Sequence, residues 1–149
     1  MISHVPISDI LRYCHGIYNR NLGGISHEDS LRSLPGGGNK INWIAGHIAV
    51  SRDTVRKVLG LELTVPPEIM ETYKRGSSDI AAEKALPLET LMQYYNASQE
   101  PILEALSSAT LTQDNEPLDS LILLTFHESY HVGQLGLARR TLGFEGTIK

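Results

Sequence analysis

His127 and His131 stand four residues apart in the run Leu121-Ile-Leu-Leu-Thr-Phe-His-Glu-Ser-Tyr-His-Val-Gly-Gln-Leu-Gly-Leu-Ala-Arg-Arg140, whose apolar residues recur at helical spacing. On an α-helix, positions i and i+4 share a face with their Cβ atoms about 5–6 Å apart. Two imidazoles placed this way can reach one metal ion from the same side. At about 100° per residue, His127, His131, Gln134 and Ala138 fall on one face with Leu123, Leu124, Leu135 and Leu142. Ser129, Val132, Gly136 and Arg140 fall roughly opposite. The histidines therefore lie along the stripe expected to be buried. A pair of core or cleft histidines is the bland alternative. Two imidazoles at ligand spacing beside a glutamine favour a metal.

The same residues spell H-E-x-x-H, the zincin pattern in which the glutamate is a general base. A zincin needs a further ligand downstream, but only 18 residues follow His131. The metzincin continuation is absent, and Glu145, the one downstream carboxylate, lies beyond the expected helix end. Glu128 is accordingly not expected to act as a base, and the third ligand is sought upstream. His47 is the candidate, because it sits on the apolar side of a long helical segment. His4, His15 and His27 are the competitors, and none is as well placed.

The elements that position these residues follow from apolar periodicity. Ile7, Ile10, Leu11, Cys14, Ile17, Tyr18 and Leu22 mark a first helix starting near Ser8 or Asp9 and stopped by Gly23-Gly24. Cys14 falls on its buried stripe as a structural thiol, and His15 lies at the boundary. Residues 25–38 form a connector with one helical turn between Ser26 and Leu34. Pro35-Gly36-Gly37-Gly38 lacks the G-K-[ST] ending of a phosphate loop. With Asn39 as N-cap, a second helix runs from about Lys40 to Leu59, burying Ile41, Ile44, Ile48, Val55, Val58 and Leu59. Gly60 ends it.

After the stiff Val65-Pro66-Pro67 loop, a short helix is expected from Glu68 to Lys74, ending near Gly76. A third long helix begins around Leu88. Its stripe of Leu91, Met92, Tyr95, Gln99, Ile102, Leu103 and Leu106 keeps phase through Pro101, which predicts a kink there. Pro117 suits the first turn of the last helix, and Arg139, Arg140 and Gly143 suit its end. No segment alternates with period two. The chain reads as one domain over residues 1–149, an all-α four-helix bundle, in which metal sites form between facing helices.

Composition narrows the partners. The chain has 149 residues, 41% of them hydrophobic and 20% charged, and a net charge of -4. No run of lysines or arginines offers a nucleic-acid surface. No signal peptide or membrane span is visible. The lone Cys14 can form no internal disulfide, which fits a reducing cytoplasm.

Asn42-Trp43-Ile44-Ala45-Gly46-His47-Ile48 with Ser51-Arg52-Asp53, followed by His127-Glu-Ser-Tyr-His131-Val-Gly-Gln134-Leu, resembles the two signature stretches of the DinB-like superfamily. The run Tyr73-Lys-Arg-Gly76-Ser77 is similar to a loop these proteins often carry. The resemblance implies a bundle of up-up-down-down connectivity and frequent homodimers. It also implies a divalent metal held by His47, His127 and His131. Members of known activity include thiol-dependent transferases and an isomerase, in which the metal binds a low-molecular-weight thiol.

Three neutral imidazoles leave positions on an ion open, as in catalytic sites. A cation there lowers the pKa of bound water and deprotonates a bound thiol. The expectation is therefore a metal-dependent transfer, in which a small thiol attacks a small electrophile. A metal-dependent hydrolase and a non-catalytic dimeric metal-binding module are the alternatives. Gln134 and Tyr130 are candidates to partner the ligands or line the pocket. Imidazoles suit zinc, nickel, copper or iron, with zinc or nickel expected first.

Overall fold

The computed structural model describes residues 5–77, 80–109 and 116–148, and the described residues contain helices and no strand. His4, one of the competing histidines, lies outside them. The helices are α1 (Val5–Leu22), α2 (His27–Ser30), α3 (Ile41–Val58), α4 (Pro67–Tyr73), α5 (Leu88–Ser108) and α6 (Glu116–Thr141), with a 3-10 turn at Ala82–Lys84. Four are long, and they pack as α1 against α5 and α6, and α3 against α5 and α6. None of the described helices is long and apolar enough to cross a membrane.

Some boundaries differ from expectation and others agree with it. α1 begins at Val5 rather than near Ser8. Lys40, not Asn39, is the N-cap of α3, and its side chain makes no cap hydrogen bond. Ser26 does cap α2, its hydroxyl accepting the Asp29 amide at 3.0 Å. α4 starts at Pro67 and stops at Tyr73. α5 continues as one helix through Pro101.

The larger corrections concern faces. Ile10 is 42% exposed and Leu123 is 66% exposed, whereas Val132, expected opposite the buried side, is 3% exposed. The buried centre of α6 runs through Leu121, Thr125, Glu128, Val132 and Leu135, so the two histidines lie at its margin. α3 is more deeply set than an amphipathic helix, since every residue from 41 to 50 is buried.

The core has two apolar parts. One gathers Tyr18, Ile44, Ile48, Tyr73, Leu91 and Leu135. The other gathers Leu11, Val55, Ile102, Leu106, Leu118 and Leu121. Along α3 the polar Arg52 falls between them. Its guanidinium donates to both Glu128 oxygens at 2.6 Å, to Gln99 Oε1 at 2.8 Å and to the Tyr95 hydroxyl at 3.1 Å. The Tyr95 hydroxyl in turn donates to Glu128 Oε1 at 2.8 Å. Arg52 and Glu128 are 1% and 2% exposed, so each charge depends on the other. Removing one member of such a pair costs about 3–5 kcal/mol. The network ties α3, α5 and α6 in one register and so fixes His47 relative to His127 and His131.

Candidate metal centre

His47 comes from α3, and His127 and His131 come from successive turns of α6. One ring nitrogen from each lies within 4.8 Å of the others, close enough for a single ion. No carboxylate or thiol joins the group among the described residues. Of the competing histidines, His27 Nδ1 accepts the Leu88 amide at 3.3 Å. His15 stacks on Tyr95 at 5.6 Å. Both lie outside the group.

The hydrogen bonds assign the tautomers. His47 Nδ1 lies 2.7 Å from the Tyr73 carbonyl oxygen, which can only accept, so Nδ1 carries the proton and Nε2 presents a lone pair. His131 Nδ1 lies 2.7 Å from Gln134 Oε1, while the Gln134 amide nitrogen donates to the Tyr130 hydroxyl at 3.2 Å. His131 therefore also presents Nε2. His47 Nε2 faces His127 Nε2 at 3.0 Å, and His127 Nδ1 is buried without a partner among the described residues. Two lone pairs at that separation repel unless a proton or a cation lies between them. Ligands about 2.0–2.1 Å from one ion sit roughly 3 Å apart at ordinary bond angles, so the separation fits a shared ion.

Burial lowers the pKa of all three rings. For His47 burial acts first, opposed by the Tyr73 carbonyl, and Arg75 lowers it further. For His127 burial is joined by the charges of His47 and Arg75. His131 is lowered to about 4 by burial, against the Gln134 bond and with the help of His47 and His127. The neutral imidazoles so favoured are the form that binds metal.

The residues around His47 work as one device. Trp43 stacks on the His47 ring at 4.6 Å and 12°, and its indole N–H donates to Ser77 Oγ at 3.1 Å. Asn42 Oδ1 accepts the Tyr73 hydroxyl at 2.8 Å, and its amide donates to the Leu86 carbonyl at 2.9 Å. Gly46 makes room for the Tyr73 ring, since a Cβ there would lie 2.2 Å from Tyr73 Cδ1. Asp53 accepts the amides of Thr64 and Val65 at 2.8 and 2.7 Å, closing the chain back after α3. The run from Asn42 to Asp53 thus docks the following loop, whose carbonyl orients the ligand.

Gln134 and Tyr130 meet at His131, where the Tyr130 ring packs edge-on at 5.1 Å. Glu128 points away from the centre into its buried pair with Arg52, so it is not available as a base. Sequence reasoning missed the Tyr73 carbonyl, and it named Trp43 and Arg52 only within the resembling stretch, without the roles the structure gives them. Cys14 is buried against Ser129 Oγ at 3.4 Å, and burial raises its pKa, as suits a structural thiol.

A cleft of about 280 Å³ reaches His47 and His127, between Val50, Met70, Leu123 and Leu124. No protein-family model matches the chain, and no curated protein is similar to it.

Proposed function

We propose that the protein is a divalent-metal-dependent transferase of the DinB-like kind, acting on a small thiol and a small electrophile. The observation that carries this reading is a cluster of three histidines, two of which border a solvent-reaching cleft, with no fourth protein ligand among the described residues. Open coordination is the mark of a catalytic rather than a closed structural site. A divalent ion bound there supplies the Lewis acidity that deprotonates a thiol at neutral pH. His47, His127 and His131 would hold the ion, the Tyr73 carbonyl and Gln134 would keep the Nε2 atoms of His47 and His131 aimed at it, and Val50, Met70, Leu123 and Leu124 would give the approach apolar walls. The thiol rests on the sequence resemblance. The pairing of the four long helices supports the bundle arrangement, and up-up-down-down connectivity is part of the proposal.

The test is elemental analysis of protein purified without added metal, followed by incubation with thiols and electrophiles. The reading expects electrophile consumption only with metal and thiol together. Turnover without thiol would favour the hydrolase, and none at all the non-catalytic module.

The homodimer belongs to the same proposal, and α6 supports it. The solvent side of this helix carries Ile122, Phe126, Tyr130 and Leu137, each more than half exposed. A helix apolar all round is normally covered. The stripe is self-complementary when two copies run antiparallel. Ile122 of one copy then meets Leu137 of the other, and Phe126 meets Gly133, around which a Cβ would find none of the described residues within 4 Å. Gly133 also borders an apolar groove of about 320 Å³ between α1 and α6, with Ile10, Tyr13 and Ile17 on its other side. In the same register Asp119 and Arg140, which end the stripe, come opposite each other.

A further inference from the structure

The segment from Tyr73 to Ser77 is fastened to α3 at both ends. Its Tyr73 carbonyl accepts from His47 at 2.7 Å, and Ser77 Oγ accepts from Trp43 at 3.1 Å. Ser77 Oγ also donates to the Lys74 carbonyl at 2.6 Å, and Gly76 turns the chain with φ 85°. Lys74 and Arg75 are thereby held at the rim of the cleft bordered by His47 and His127. The described residues lining it include two cations and no carboxylate, in a chain whose net charge is -4.

The two cations differ. Lys74 Nζ is 2.5 Å from Glu71 on the exposed surface. Arg75 is exposed and has no hydrogen-bond or ion-pair partner among the described residues. A guanidinium beside a metal centre repels the cation it flanks. The arrangement makes sense when an anion is shared between them, since the guanidinium fork suits carboxylate and phosphate oxygens.

We infer that Arg75 anchors an anionic group, a carboxylate or a phosphate, on the small molecule that enters the cleft. Its reacting atom then faces His47 and His127, and its apolar middle lies against Val50, Leu123 and Leu124. This rests on the metal-site reading above, and it adds the chemical class of the ligand. Arg75 acts in binding and positioning, through charge and its planar fork.

The test uses cobalt(II)-loaded protein and thiols of matched length ending in carboxylate, hydroxyl or ammonium: mercaptopropionate, mercaptoethanol and cysteamine, and the corresponding mercaptohexyl series. Binding is read from the sulfur-to-cobalt charge-transfer band. In wild type the carboxylate of at least one series should bind roughly tenfold or more tighter than its hydroxyl analogue, with the ammonium weakest. Arg75→Gln should remove that preference while cobalt binding is kept or tightened and the hydroxyl analogue still binds. Arg75→Lys should restore part of it.

Hexanoate and inorganic phosphate, which lack sulfur, form a second arm that tells carboxylate from phosphate. They are followed by the fluorescence of Trp43, the single tryptophan, which stacks on His47 and reports with or without cobalt. If no thiol binds but these anions do, dependent on Arg75, the thiol reading falls and the anchor stands. Equal affinity across the charge series, a preference that survives Arg75→Gln, or no anion binding at all would overturn the inference.

Discussion

The Tyr73 carbonyl accepts the Nδ1 proton of His47 at 2.7 Å, while the Tyr73 ring lies against the bare Cα of Gly46. The residue before the ligand therefore controls the ligand's orientation. Gly46→Ala would place a Cβ 2.2 Å from the ring, and the loop must retreat with its carbonyl. We expect destabilisation of about 1–3 kcal/mol and weaker metal binding. Urea titration and calorimetric metal titration of the variant check both. Unchanged metal affinity would show that the carbonyl does not matter.

Glu128→Gln separates the buried pair from the zincin pattern. If the carboxylate only balances Arg52, the variant should lose about 3–5 kcal/mol of stability. Replacing Arg52 and Glu128 together by leucine and methionine should recover much of it. A general base would behave in the opposite way, with activity lost and stability kept. Denaturation midpoints of the single and double variants decide.

The reach of the sequence can be judged from particular residues. His127 and His131 were legible because i, i+4 spacing fixes a shared helix face, and His47 because its apolar neighbours keep one phase. The burial of α6 was not legible, because Ile122, Leu123, Phe126 and Leu137 make that helix apolar on its solvent side too. Periodicity then has no polar face to set its phase, and it points Leu123 inward and Val132 outward, the reverse of their observed burial. The Tyr73 carbonyl leaves no side-chain signal, and Arg52 meets Glu128 across 76 residues of chain.

Acid should destabilise the metal-free protein through the triad. His131 is lowered to about 4 in the folded chain, whereas an unfolded imidazole titrates near about 6.5. The unfolded state therefore binds the proton more readily between those values. The contribution is fully present above about pH 6.5, declines as pH falls, and is gone below about pH 4. For His131 it is on the order of 3 kcal/mol, and the lowered His47 and His127 act in the same direction. Urea midpoints across this range, in chelator, should fall for wild type and fall less steeply for His131→Gln. An equal decline in the variant would contradict the assignment.

The antiparallel α6 pairing predicts a charge pattern. Asp119→Arg should set two arginines against each other and weaken the dimer. Adding Arg140→Asp should restore it, because each pair is then of opposite sign again. Sedimentation velocity at micromolar protein reads the shift. A wild-type monomer, or a double variant no better than the single, would count against this interface.

The central claim is that one ion joins α3 to α6 through His47, His127 and His131, and melting with and without metal tests it most directly. A ligand bound only by the folded state stabilises it by about 2.7 kcal/mol at a hundred times its dissociation constant. His127 and His131 share a helix, so only His47 converts binding into a link between helices. Wild type and the control His27→Ala should show the full metal-induced rise in melting temperature at neutral pH. His47→Ala should fold without metal and lose most of that rise, and an undiminished rise in His47→Ala would contradict the account.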